Sequence, residues 1–424
     1  MALPKSFDAR LAAVAILALA VRTAATLWHR HYPVVGDALT FHLDAHWLAT
    51  GHGFREPFAA APTAEHPPAF IVLLALFDLL GAGGFLAQKL LVGVVGTVTV
   101  VLVGLLGREV GGERAGLVAA VLAAGYPLLW VADGSLMSES LYGVFVVASL
   151  LCALKFARSP SPGRAAGLGA VIGLATLTRG EALLLVPLLG LVLMIGIPPA
   201  PPGRRLRLRA GPLAALAGAF ALVLAPWTVR NALTFEQPVL VSNNANGVWV
   251  GANCRETYYG PIVGLWHFPC YGATPPGDES QRAHEYRRRG MEYLRDHAGR
   301  VPAVMLARLG RLYDVYRPGQ MLVYESGEGR PLRSERLGVW LYWLLLPFAA
   351  GGAWLLRRRP QTLAVLLVPV VMVTLTALGS YGSTRFRYAA EPTLLVLGAV
   401  ALGAVARRVA ARRRPAVAAG AAAP

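Results

Sequence analysis

Residues 85–107 read Phe85-Leu86-Ala87-Gln88-Lys89-Leu90-Leu91-Val92-Gly93-Val94-Val95-Gly96-Thr97-Val98-Thr99-Val100-Val101-Leu102-Val103-Gly104-Leu105-Leu106-Gly107, with Lys89 the one charged side chain. A helix crosses a bilayer with about 20 mostly apolar residues, and this stretch supplies them. Further runs of the same kind lie at 9–27, 114–131, 139–157, 165–178, 181–197, 210–227, 337–355, 361–378 and 388–406. They predict an all-α polytopic membrane protein with about ten transmembrane helices. Composition agrees: of 424 residues, 55% are hydrophobic and only 15% charged, against about 25% charged in a soluble domain. A soluble enzyme, a disordered tail and a disulfide scaffold are excluded. The formal charge is 40 − 23 = +17. Most of the basic excess sits in short clusters between apolar runs, so it is no nucleic-acid signature.

Those clusters set the topology, because Lys and Arg in short loops mark the cytoplasmic side. They are Lys5 and Arg10, Arg108 and Arg114, Lys155 to Arg164, Arg204 to Arg209, Arg357 to Arg359, and Arg407 to Arg414. All six fall on one side if 68–107 crosses once. The run 68–80, opened by Pro67-Pro68, is therefore expected to be an external juxtamembrane or re-entrant helix; if it spans, there are eleven crossings. The first span resembles a signal peptide but carries Arg22 and is read as retained. The expected organisation is a transmembrane module over 1–227 with a first external loop at 28–67, an extracytoplasmic domain at 228–335, further transmembrane helices over 336–406, and a basic cytoplasmic tail at 407–424. The protein is expected in the cell membrane.

The external domain is expected to be α+β. Gln237 to Asn253 reads as short strands around an Asn/Gly turn, 279–297 as a polar helix, and 299–316 as a helix on the membrane surface. Cys254 and Cys270 both fall outside, where an oxidising compartment allows a disulfide. Cys152 lies inside a span and reads as a small hydrophobe.

Candidate chemistry gathers at external helix ends. Six of the nine His lie between His29 and His66, among Asp37, Asp44, Glu56 and Glu65. Acids and imidazoles crowded at a membrane edge suit general-base work or a metal site. His42 and His46, four apart, share a helix face and could take a divalent metal or simply lie at the interface. Asp37 follows Gly36 and could be a helix cap; Asp44 reads as a solvated helix position; Glu65 and His66 precede Pro67-Pro68. Ser138 could cap the fourth span, with Glu139 in its first turn. Arg179, Arg230, Arg385 and Arg387 occur at span ends on the same side. They could be interfacial anchors, but guanidinium is also suited to phosphate, and a lipid phosphate lies at that depth.

Jointly these pieces resemble the GT-C superfamily of integral-membrane glycosyltransferases, and most nearly the dolichyl-phosphate-mannose-protein mannosyltransferase and aminoarabinose-transferase-like families. The resemblance rests on Gly36-Asp37, Glu65-His66-Pro67-Pro68, Ser138-Glu139, Thr178-Arg179-Gly180-Glu181, Pro226-Trp227-Thr228-Val229-Arg230-Asn231 and Arg385-Phe386-Arg387-Tyr388, in family order over about 350 residues. It implies a polyprenyl-phosphate sugar donor and an extracytoplasmic hydroxyl acceptor. It implies Asp37 as the base and Glu139 as the second-loop acid. Arg230, with Arg179, Arg385 and Arg387, would hold the lipid phosphate. Asp37 is followed by Ala38 where many relatives have a second acid. Metal use varies across the superfamily, so a divalent cation is the one cofactor the resemblance leaves open. The alternative is a secondary transporter or lipid flippase, which would place ionisable residues near mid-span.

Overall fold

A computed structural model describes residues 6–196 and 202–413. Lys5 and the tail from 414 lie outside the described residues, as do the side chains of Arg204 to Arg209. The chain opens with α1 (Phe7–Trp28), whose first turn is capped by the Ser6 side chain accepting from Ala9 N. There follow α2 (Asp37–Ala49), α3 (Pro68–Leu79), α4 (Phe85–Gly111), α5 (Glu113–Gly125) and α6 (Pro127–Gly134). Next come α7 (Glu139–Arg158), α8 (Pro162–Thr176), α9 (Leu185–Gly196) and α10 (Pro202–Thr234). The segment beyond carries α11 (Asn244–Ala252), α12 (Arg255–Tyr258), α13 (Glu279–Asp296), α14 (Val301–Leu312) and α15 (Pro318–Ser326). The chain closes with α16 (Leu332–Leu356), α17 (Pro360–Gly379), α18 (Thr384–Arg387) and α19 (Glu391–Arg413).

The predicted runs fall on helical segments, 114–131 on two of them, α5 and α6. Among the described residues, seven helices are long and apolar enough to cross a membrane, or eight if α5 and α6, bent by 48° at Tyr126, make one span. Pro127 breaks the pair, because a proline ring cannot donate to the preceding turn. The runs at 165–178 and 181–197 form shorter helices, α8 and the stretch Gly180–Ile195. At twelve residues, α3 spans ~18 Å by helical rise, too short to cross alone, and Pro68 stands at its first position as expected.

One continuous apolar core joins the spans, with α4 in the middle against α1, α5, α7 and α19. Small residues let these helices approach closely, as they do where lipid supplies no hydrophobic drive. Gly107 of α4 meets the Gly116 backbone of α5, and any side chain at Gly352 of α16 would strike the Leu397 carbonyl of α19.

The segment 228–335, expected to be an external α+β domain, is helical: no strand occurs among the described residues. Residues 244–252, expected as an Asn/Gly turn and the strand after it, form α11. Val248-Trp249-Val250 is apolar without telling helix from strand, and tertiary contacts decide. Asn243 N donates to the Ala64 carbonyl at 2.8 Å, its side chain donates to Glu279 Oε1 at 2.7 Å, and Gly290 lets α13 lie against the Trp249 backbone. The polar helix appears as α13, started by Asp278 and Gln281 in a reciprocal cap, and 299–316 contains α14. Cys254 and Cys270 are joined by a disulfide.

Candidate active site

The site begins at Gly36. Its φ of +59° lies in the left-handed region that glycine enters without penalty, and it turns the chain into α2 with Asp37 first in the helix. Gly36, not Asp37, is the cap residue. The Asp37 side chain is thereby free. Its Oδ2 accepts from Arg385 Nη2 at 2.9 Å, and its Oδ1 lies 3.6 Å from His66 Nε2.

Arg385 is the hub. It comes from the short helix α18, where the Ser383 side chain accepts from Arg385 N. Its Nε donates to Glu139 Oε1 at 2.9 Å and its Nη1 lies 3.3 Å from Glu328 Oε2. Glu139 stands at the start of α7. Ser138 caps that helix in position but makes no side-chain cap bond; its hydroxyl instead accepts from Arg179 at 3.4 Å. Arg179 Nη1 and Arg330 Nη2 also converge on Glu139 Oε1, at 3.1 and 3.4 Å. Each has a further acid: Glu181 for Arg179 at 2.6 Å, and Glu335 for Arg330 at 3.1 Å. Three guanidiniums thus surround one carboxylate that is only 1% exposed, while Asp37 is 33% exposed.

Burial alone would raise the Asp37 carboxyl. Arg385 and His66 override it and hold the group far below the usual carboxylate range. For His66, burial lowers and the Asp37 carboxylate, with Glu65 and Asp44 behind it, raises; the outcome is a pKa of about 9. At neutral pH the two form an ion pair.

The other candidates are placed apart. Arg387 is buried and bound to Asp314 at 2.9 Å and Glu391 at 2.6 Å, with its guanidinium 3.8 Å over the Tyr342 ring. Arg230 donates to the carbonyls of Thr63 and Phe54, at 2.8 and 3.1 Å, and lies over the Trp227 ring. It fastens the first external loop to α10. Glu279 fastens the same loop, accepting from Thr63 Oγ1 and Ala64 N. Glu65 is exposed and its carbonyl accepts from Asn244 N.

His42 and His46 share a face of α2 without sharing a ligand. His42 pairs with Gln88 at 2.8 Å and His46 with Asp78 at 3.0 Å. Among the described residues, the converging set of ligating side chains is Cys254, Glu256 and Cys270, whose sulfurs are spent in the disulfide. The first-loop candidates therefore do not fit a divalent metal as they stand. Asp44 corrects the reading of a solvated position. It is 1% exposed, and neither oxygen has a hydrogen-bond partner; burial raises its pKa to about 7.

Sequence reading missed Glu328 and Arg330. The available signal was Glu325-Ser326-Gly327-Glu328-Gly329-Arg330, an acid- and glycine-rich turn immediately before a span.

Residues 65–229 match the model of the dolichyl-phosphate-mannose-protein mannosyltransferase family. An archaeal oligosaccharyltransferase, AglB from Archaeoglobus fulgidus in complex with an inhibitory peptide and a dolichol-phosphate, superposes with a TM-score of 0.56 over 99% of this chain and 52% of its own, at 17% identity. The fold is that of the GT-C glycosyltransferases. The apo form of the Archaeoglobus fulgidus enzyme gives a TM-score of 0.58 at 16% identity, over 96% of this chain and 51% of that one. The chain thus spans about half the length of those solved enzymes. ArnT from Cupriavidus metallidurans, bound to undecaprenyl phosphate, gives a TM-score of 0.41 at 16% identity, over 94% and 77%, a likeness too slight to build on. No curated protein sequence matches the chain.

Proposed function

We propose that the protein is a membrane glycosyltransferase that moves a sugar from a polyprenyl-phosphate donor to a hydroxyl acceptor on the extracytoplasmic face. The observation that carries this reading is a half-open carboxylate, Asp37, held 2.9 Å from the buried hub Arg385 at the membrane-edge end of a GT-C fold. The dolichol-phosphate bound by AglB supports a donor of that lipid class. The basic clusters near Arg108, Lys155 to Arg164 and Arg357 lie at the opposite helix ends, which supports an external site.

The chemistry needs three things. A base must take the acceptor's proton, the acceptor must be aligned opposite the leaving group, and positive charge must meet the departing phosphate. Asp37 is ionised at neutral pH and exposed to an incoming hydroxyl. Arg385, Arg179 and Arg330 supply the charge; preorganised cations in a dry site are often the largest catalytic term. Attack opposite the leaving group inverts the anomeric centre. Arg230 and Arg387 act at a distance, holding the first loop and the α14–α19 junction.

A transporter would need ionisable groups free to change partners in mid-span. The buried pair in the spans, Arg22 and Asp133, is a direct salt bridge at 2.8 Å that ties α1 to α6, which favours the enzyme.

The test is consumption of donor. Purified protein in detergent is given a panel of radiolabelled undecaprenyl-phosphate sugars, with cell-envelope extract as acceptor source, and released undecaprenyl phosphate is counted. We expect turnover, and a fall of ~10²–10⁴-fold for Asp37→Asn with unchanged gel filtration and melting. A panel left wholly intact, or full turnover by Asp37→Asn, refutes the reading.

A further inference from the structure

Glu328 lies on the turn between α15 and α16, and that turn is held inward on both sides. The backbone of Gly329, at φ +76°, lies so close to the Pro33 carbonyl that a Cβ would stand 2.8 Å from it. The Gly329 carbonyl accepts from Ser135 Oγ at 3.1 Å. Arg330, next in sequence, is fixed by Glu139 and Glu335. Glu328 is thereby carried over Gly36, and a Cβ on that glycine would stand 2.9 Å from Glu328 Oε2. The same oxygen is 3.3 Å from Arg385 Nη1, while Nη2 of that guanidinium holds Asp37 at 2.9 Å.

Two carboxylates from distant parts of the chain therefore occupy the two terminal nitrogens of one arginine. Both are partly open, at 23% and 33% exposure, whereas Glu139 on the same arginine is 1% exposed. Glu328 Oε2 meets Arg385 as an ionic contact and has no hydrogen-bond partner, so it retains acceptor capacity. Burial first, then Asp37 and Glu325, raise the Glu328 carboxyl above its ordinary range, and Arg385 and Arg330 offset this only in part. Tyr324 and Tyr381 also face it.

We propose that Glu328 is a catalytic residue that shares with Asp37 the proton taken from the acceptor hydroxyl. The inference rests on the glycosyltransferase reading above. Asp37 by itself is poorly matched to the task. Arg385 and His66 keep it ionised and reluctant to take a proton, whereas a general base works best with a pKa near the working pH. Glu328 supplies the more basic member on the same guanidinium. As the acceptor oxygen bonds to the anomeric carbon, its O–H bond breaks and the proton passes to the carboxylate pair. The bond from the anomeric carbon to the phosphate oxygen breaks, and its electron pair leaves with the lipid phosphate. Two interacting carboxylates titrate as a pair, and Arg385 keeps them together.

The experiment is the donor-release assay run from pH 5 to 9 on the parent, Asp37→Asn, Glu328→Gln and Glu328→Asp. In the parent the rate should rise with pH as the pair loses its proton. Glu328→Gln should lower kcat by ~10²-fold. It should also carry the acidic limb to lower pH, because Asp37 alone remains, while KM for the donor stays within about threefold. A merely structural role would scale the rate equally at every pH. Glu328→Asp keeps the charge on Arg385, and so the fold, but withdraws the carboxylate by one methylene. It should lose rate by ~10-fold or more without moving KM, and it decides the matter if Glu328→Gln does not fold. A parental pH profile in Glu328→Gln, or a parental rate in Glu328→Asp, overturns the proposal. If Asp37→Asn is dead while both Glu328 variants are normal, this inference fails and the glycosyltransferase reading stands; if no donor is consumed by any form, the reading itself has failed.

Discussion

Glu139→Gln separates charge from geometry at the centre of the site. All three guanidiniums approach one oxygen, Oε1, at 2.9, 3.1 and 3.4 Å, and Oε2 has no hydrogen-bond partner. Glutamine can keep its carbonyl at Oε1 and put its amide where Oε2 stood, so the contacts survive and only the negative charge goes. At ~3 Å and an effective dielectric of about 20, each pair is worth ~5 kcal/mol of attraction before desolvation is subtracted. Breaking a buried pair from one side costs ~3–5 kcal/mol net. The low end applies here, because Arg385 keeps Asp37 and Glu328, Arg179 keeps Glu181, and Arg330 keeps Glu335. For 424 residues unfolding with ~2.1 cal/mol/K each, that is a fall in melting temperature of roughly 3–4 °C. The functional signs oppose one another. Three less-compensated cations should bind undecaprenyl phosphate more tightly, while Arg385, with more of its charge on Asp37, should make the base weaker and turnover slower. Melting by intrinsic fluorescence, lipid-phosphate affinity by competition against labelled donor, and turnover together decide it. Parental melting with unchanged or weaker phosphate affinity would refute the view of Glu139 as counter-ion to the three arginines and return it to a direct role on the substrate.

Two further outcomes are expected. His66 is raised by Asp37 to about 9 from 6.5, so its contribution to stability is complete below pH 6.5 and lost as pH rises through 9. The melting difference between the parent and His66→Asn should therefore shrink by the equivalent of ~3 kcal/mol from pH 6 to pH 10, and a difference constant across that range contradicts the pairing. Arg230→Lys should loosen the first external loop, since one ammonium cannot serve both the Phe54 and Thr63 carbonyls and lie over Trp227; limited proteolysis within 52–64 should quicken and turnover fall, with membrane insertion normal, and parental proteolysis and turnover would make Arg230 an interfacial anchor.

Much of the fold was legible because a bilayer is an exacting solvent. Backbone groups in hydrocarbon must be paired within the helix, so apolar run length alone located the long apolar helices. It did not show that the run 114–131 bends at Pro127, or that the run 165–178 ends as a helix of fifteen residues. The external segment was harder, because nothing local distinguishes Val248-Trp249-Val250 as helix from strand; Asn243, Glu279 and Gly290 decide it from elsewhere in the chain. The site divides along the same line. Asp37, Glu139, Arg179 and Arg385 could be picked out as candidates because each lies at or beside a helix end, and the structure brings them into one cluster. Their arrangement could not be read, because a sequence does not say which acid an arginine will choose. Arg387 and Arg385 are two residues apart, yet one becomes the hub of the carboxylate cluster and the other a strut to Asp314 and Glu391. Helical geometry accounts for the split. Neighbours two apart do not share a face, so only one of the pair could turn toward Asp37, and the other needed its own acids on the far side. Glu328 stayed hidden for the converse reason: it reaches the site from a turn, without helical register to announce it, through the space that Gly36 leaves open.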